Sequence, residues 1–279
     1  MISHLSRRAL LRTVSAAFGA APVILRGAAR KKIPIGVQLY SVGGPAKSDL
    51  PGTLAAIKKM GYDGVEFAGY YSKTAKELRQ LLDDNGLRAC GTHTALTTMV
   101  GDQLQPTIEF NQILGNRFLI APSLPKPNIA TLDAWAKTAD TFNEIAAKLK
   151  PLSMATGFHN HTVEFQPLEG QVPVEYFCSR ASQDVILQLD VGHAVHAGAD
   201  PVAFLRKFPG RARSVHIKEW TAAKKAYVVG EGDVNWPPVF DACESVGGTE
   251  WYVIEEETRA FQGTEGIEKS IQSLKKLLA

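Results

Sequence analysis

From residue 33 onward the chain alternates between two hydrophobic periods. Short runs rich in Val, Ile, Leu and Phe predict strands, and longer stretches with an apolar residue every three or four positions predict helices between them. The strands read as IPIGVQLYSV, DGVEFAG, LRACGTHTA, RFLIAPS, MATGFHNH, VILQLDVGH, ARSVHIKEW and WYVIEEE. A helix follows each. DLPGTLAAIKKMGY ends near Gly61, and KTAKELRQLLDDNG carries Leu78, Leu81 and Leu82 on one face with Gly86 as its stop. LQPTIEFNQILG comes third. In the fourth, Leu132, Trp135, Ala139, Phe142, Ile145 and Leu149 recur at helical spacing. PVEYFCSRA, DPVAFLRKFPG, WPPVFDACESVG and GTEGIEKSIQSLKKLL complete the set. Eight strand–helix repeats in roughly 245 residues predict an α/β fold, a (β/α)₈ TIM barrel, as a single domain over residues 33–279. A doubly wound open sheet is the rival; no GxGxxG follows the first strand, which weighs against it.

Polar residues break this apolar pattern at particular places. The chain has seven histidines, and apart from His4 each lies at or just past a predicted strand end. His93 follows strand three, His159 and His161 end strand five, His193 and His196 follow strand six, and His216 ends strand seven. In a barrel those ends share one mouth, where active sites are built from several strands. Side-chain alternation then selects the inner face: His159 with His161, Gln188 with Asp190, Ser214 with His216 and Lys218, and Val253 with Glu255 and Glu257. Four consecutive strands thus deliver imidazole or carboxylate groups to one place. That mixture suits Mn²⁺, Zn²⁺, Co²⁺ or Fe²⁺. Two carboxylates and one or two imidazoles nearly neutralise a divalent ion and leave room for a substrate oxygen.

Composition narrows the choice. With 279 residues, 45% apolar and 21% charged, the chain can bury a full core. The net charge of +3 misleads. Seven of the 31 basic residues and none of the 28 acidic ones lie in the first 32 positions, which leaves 24 basic against 28 acidic residues beyond them. That balance argues against a nucleic-acid partner. The basic start is a targeting signal by pattern: Ser6–Arg12 (SRRALLR), then an apolar run from Thr13 to Leu25, then RGAARKK. The run is too short to span a membrane. Adjacent Arg7 and Arg8 resemble a twin-arginine signal, which implies folding in the cytoplasm and a periplasmic destination. Cleavage after Ala21 or after Ala29 fits the small residues. Cys90, Cys178 and Cys243 are widely spaced and odd in number, so buried free thiols are expected rather than a disulfide framework.

The ordered set VQLYS, GVEF, GFHNHTVEF, LDVGH, VHIKEW, VGEGDVNW and WYVIEEE resembles the xylose isomerase-like TIM barrels identified as sugar phosphate isomerases and epimerases, over about 240 residues. The resemblance implies one divalent metal ion (Mn²⁺, Zn²⁺, Co²⁺ or Mg²⁺) held by residues ending strands five to eight. Asp190, His216 and Glu255 are ligands by that resemblance, and His193 falls where a histidine often touches substrate. Many members place a glutamate on strand five. This chain has His159 there, with Glu164 five residues on. Either fits the ligand role, His159 by its position and Glu164 by its chemistry; His159 is preferred, with Glu164 or His161 as the acid/base.

The implied activity is proton movement beside a carbonyl. Glu255 or Glu257 supplies a second proton group, Lys218 steadies a substrate oxygen or pairs with those glutamates, and Trp236, entering a helix ahead of Pro237, stacks on a sugar or packs inward. His93 and Glu257 complete the expected substrate contacts. The leading expectation is a metal-dependent isomerase or epimerase of an unphosphorylated sugar or keto-sugar, since no Gly-rich or Arg-rich phosphate cradle is visible. Cleavage of a 3-keto-glycoside by a lyase at the same site is the alternative. A non-catalytic sugar-binding barrel is the third, and an endonuclease of the apurinic type is disfavoured by charge. The partner expected is a small carbohydrate, with no membrane span after signal removal and a homo-oligomer compatible with the sequence.

Overall fold

The computed structural model describes residues 32–223, 226–258 and 260–279. The targeting segment expected at residues 1–32 lies, but for Lys32, outside them. Eight strands form one parallel, closed sheet: β1 Ile35–Gln38, β2 Gly64–Phe67, β3 Arg88–His93, β4 Phe118–Ala121, β5 Ala155–His159, β6 Val185–Asp190, β7 Ser214–Ile217 and β8 Trp251–Ile254. Each strand pairs with the next, and β8 pairs back onto β1 through Ile35↔Tyr252 and Gly36↔Val253. The expected TIM barrel is the observed fold.

Around the sheet run α1 Leu50–Met60, α2 Ala75–Asp84, α3 Leu104–Leu114, α4 Leu132–Leu149, α5 Pro173–Arg180, α6 Pro201–Lys207, α7 Trp236–Ala242 and α8 Glu265–Leu277. Four of these eight starts, those of α1, α2, α4 and α6, are capped by short polar side chains, which accept the otherwise unpaired first-turn N–H groups. Asp49 accepts from Gly52, Thr131 from Ala134, and Thr74 forms a capping box with Glu77. Three short helices, Gly43–Ser48, Lys126–Ile129 and Val191–His196, add to those expected from the apolar pattern, and the last bears on the site. That helix forms because Asp190 Oδ1 accepts the His193 backbone N–H at 2.7 Å directly after β6.

Alternation sorts the core into two regions. Outward-facing Val37, Val65, Leu119, Phe158, Leu187, Val215 and Ile254 join the large cluster shared with the helices. Inward-facing Cys90, Phe118, Ile120, Ala155, Ile186, Trp251 and Val253 fill the barrel's lower interior as a separate cluster. Above them the interior turns polar. Gly157 keeps this interior closed, because a Cβ there would stand 1.9 Å from the Ile186 carbonyl oxygen of the neighbouring strand. The three cysteines are buried and free, as expected.

Strand ends depart from the pattern in one direction. β5 stops at His159, β7 at Ile217 and β8 at Ile254, so His161, Lys218, Glu255 and Glu257 lie just beyond the ladder. The register between β2 and β3 also shifts: Val65 pairs with Ala89, but Glu66 pairs with Gly91. Such irregularities re-aim side chains near functional sites. Here the shift sets Gly91 beside Glu66.

Candidate metal centre and active site

Strands β5 to β8 bring His159, Asp190, His216 and Glu255 together at the carboxyl-end mouth. One potential ligand atom from each lies within 4.8 Å of all the others, and all four residues are buried. His159 Nε2 stands 3.9 Å from Asp190 Oδ2, and His216 Nδ1 stands 3.8 Å from that same oxygen and 3.0 Å from Glu255 Oε2. Two of the polar atoms here, His159 Nδ1 and Asp190 Oδ2, are buried without a hydrogen-bond partner. Buried polar atoms are nearly always satisfied, so unpaired ones mark a place where a ligand is due. Ligand atoms about 2 Å from a shared centre lie within such mutual distances. The donor set therefore fits a divalent ion, and its two carboxylates would balance the ion's charge.

The electrostatics agree with a site built for positive charge. Burial works against ionisation of His216, but Glu66 and Glu255 on either side outweigh it and carry its pKa up to about 10. Burial pushes Asp190 up to about 7. Glu255 is held well below the usual carboxylate range by His216 and Lys218 despite its burial. Burial, with the nearby Lys218 charge, brings His193 down to about 3, and burial likewise lowers His161 and His159. The rim imidazoles are thus neutral bases facing a cationic lysine.

The other expected residues divide. His161 and His193 face each other with ring centres 4.9 Å apart, and His161 stands 4.9 Å from His159. Lys218 ion-pairs with Glu257 and approaches Glu255 at 3.5 Å. With His193, His196, Trp220 and Tyr227, these groups line a cavity of about 270 Å³ that opens on Glu255. His93 sits on the floor instead, stacked on His216 with Nε2 2.8 Å from Gln188 Oε1. Glu164 stays out of the cluster: buried, it accepts the His161 backbone N–H at 2.8 Å. His159, at the strand end, is the residue that joins Asp190, His216 and Glu255.

Trp236 is corrected. It is buried in the core, stacked on Phe240, with Nε1 donating to Glu219 at 2.7 Å, so it presents no face to a substrate. Trp220, stacked on His196 at 5.2 Å, is the tryptophan that lines the cavity.

Sequence reasoning also missed Gln38 and Glu66. Both stand at the inner ends of their strands inside quoted motifs, VQLYS and GVEF. The alternation rule applied to β5–β8 points to them equally when applied to β1 and β2. Glu66 is fully buried and accepts from Gln38, Gln188 and His216.

A closed (β/α)₈ barrel whose mouth gathers two imidazoles and two carboxylates defines the general class. The profile of the xylose isomerase-like TIM barrel family matches residues 54–277, and the chain belongs to that family. Among curated relatives, an inosose dehydratase of Serratia proteamaculans is 24% identical over 238 residues, covering 71% of this chain and 78% of that protein. An inosose dehydratase of Lacticaseibacillus casei is 21% identical over 236 residues, with 71% and 78% covered. Among solved structures, a sugar phosphate isomerase/epimerase of Parabacteroides distasonis superposes with a TM-score of 0.73 at 27% identity, covering 90% of this chain and 95% of that one.

Proposed function

We propose that the protein is a divalent-metal-dependent enzyme that withdraws the proton from the carbon beside a carbonyl of a sugar, keto-sugar or related polyol. The observation that carries this reading is the convergence of His159, Asp190, His216 and Glu255 beside neutral imidazoles. Those four residues would hold the ion, of which Mn²⁺, Zn²⁺, Co²⁺ and Mg²⁺ suit the donor set. When bound, it would supply the Lewis acidity that draws charge onto the carbonyl oxygen. His161 or His193 takes the proton from carbon. Lys218, held between Glu255 and Glu257, donates to a neighbouring substrate oxygen.

The first step is common to two outcomes. Return of the proton to the other face or the next carbon gives an epimer or isomer. Expulsion of a group from that next carbon gives elimination. Inversion at one carbon needs proton groups on both its faces, whereas an elimination can use one flank. His161, His193, Lys218 and Glu257 all follow strands β5–β8, on one side of the mouth. On the β1–β4 side, Glu66 and His93 are tied into the floor. This one-sided arrangement favours elimination over inversion, and the names of the inosose dehydratases accord with elimination. Cleavage of a keto-glycoside is the same elimination with a sugar or aglycone as the leaving group. Room for a second ring supports it: next to the first cavity, and sharing Glu256 and Glu257 with it, lies a hollow of about 510 Å³ lined by Tyr40, Ser41 and Phe261.

The site reading is tested by metal content and hydrogen exchange. Metal-loaded wild type should bind one equivalent of Mn²⁺ and wash deuterium from D₂O into a keto-sugar. Asp190→Ala and His216→Ala should lose both. Full metal content in both variants overturns the ligand assignment. Export through the twin-arginine route belongs to the same proposal, and cell fractionation with Arg7→Lys/Arg8→Lys checks it.

A further inference from the structure

Glu66 takes no part in the proton transfer, yet it ties the floor of the site together. It accepts from Gln38 Nε2 at 2.8 Å, from Gln188 Nε2 at 2.7 Å and from His216 Nε2 at 2.6 Å, and lies 3.2 Å from His93 Nε2. These partners stand on β1, β6, β7 and β3. The amide orientations follow from their other ends. Gln38 Oε1 accepts the Tyr40 backbone N–H at 3.1 Å, which turns its NH₂ toward Glu66. Gln188 Oε1 lies 2.8 Å from His93 Nε2 while its NH₂ reaches Glu66 and Ser214 Oγ. Every neighbour of the Glu66 carboxylate is therefore a donor, and an ionised carboxylate can only accept.

The consequence falls on His216. Its Nε2 must carry a proton to meet Glu66, so Nδ1 is the nitrogen that can give up its proton to an incoming ion. Its Nδ1 is the nitrogen that faces Asp190 Oδ2 and Glu255 Oε2. We infer that Glu66 is a positioning residue: it fixes His216 as the Nε2–H tautomer and so dedicates Nδ1 to the divalent ion. This rests on the metal-site reading above. The space for the carboxylate is reserved by Gly91, where a Cβ would stand 2.2 Å from Glu66 Oε1. Groups that orient a metal-ligating histidine typically carry a 10–100-fold effect on metal affinity.

The test pairs a variant with a measurement on the wild type. Mn²⁺ titration followed by electron paramagnetic resonance should show Glu66→Gln binding roughly 10–100-fold more weakly than wild type. Equal affinity in the two overturns the inference alone. Failure of the wild type itself to bind Mn²⁺ or Zn²⁺ overturns both the inference and the metal-site reading. Should Glu66→Gln not fold, the ¹⁵N spectrum of Zn²⁺-loaded wild type decides. Protonated Nε2 with proton-free Nδ1 at His216 supports the assignment, and the reverse overturns it.

Discussion

Single residues set the floor of this site by what they leave out. Gly91 sits beside Glu66 because the β2–β3 register shifts there. A methyl group at that position would enter the space of the Glu66 carboxylate, the acceptor for three side chains. Gly91→Ala should therefore cost about 1–3 kcal/mol in urea denaturation and weaken Mn²⁺ binding in the same direction as Glu66→Gln. A stable variant with unchanged Mn²⁺ affinity would show that the carboxylate has freedom to move. Alternation made His159, Asp190, His216 and Glu255 legible in the sequence because a period of two is fixed by the strand itself. It could not choose between His159 and Glu164. That choice turned on a local contact, the Glu164 carboxylate closing onto the His161 N–H.

At the scale of elements, the segment after β7 holds together through one buried carboxylate. Glu219 accepts the backbone N–H groups of Trp220, Gly230 and Val234 and the indole N–H of Trp236. Gly232 approaches so closely that a Cβ would stand 2.5 Å from Glu219 Oε1. Trp220 and Tyr227, on this segment, line the cavity beside Lys218. Removing the acceptor leaves buried donors unpaired, so Glu219→Ala should lose about 3 kcal/mol in thermal or chemical unfolding and lower affinity for substrate analogues. Trp236→Phe, which loses one bond to the carboxylate, should lose about 1.5–3 kcal/mol with less effect on binding. The reverse order would place the segment's stability in the indole packing. This network explains why Trp236 misled: VGEGDVNW reads as a polar loop, and the partner that draws the indole inward lies 17 positions earlier. Strand lengths were misread for a related reason. Near the mouth polar residues continue past the last paired position, as at His161, Lys218 and Glu257, so side-chain type does not mark where the ladder ends.

Across the whole molecule, the barrel divides its mouth into unequal halves, and that asymmetry bears on the reaction. The eight-fold repeat was legible because each strand and each helix must bury an apolar face, and seven crossovers that each place the next strand beside the last bring β8 back onto β1. Which half of the mouth holds chemistry was legible only in part, since Gln38, Glu66 and His93 gather on the other half and turn to the floor. On the proposed reading, with His161, His193, Lys218 and Glu257 all following β5–β8, a proton taken from carbon would be returned from that same side to whatever departs from the next carbon. Metal-loaded enzyme given a keto-inositol should yield a product lighter by one water. Given methyl 3-keto-glucoside, it should release methanol. Both are read by mass spectrometry. Formation of an isomer of unchanged mass with deuterium at the inverted carbon would instead require a proton group on the opposite face, and would return the reading to an epimerase. Tyr40→Ala separates the leaving group from the reacting ring: with the leaving group in the hollow lined by Tyr40, Ser41 and Phe261, the variant should lose roughly tenfold in kcat/KM on an aryl glycoside, the scale of a stacking contact of about 1.4 kcal/mol, and much less on the keto-inositol.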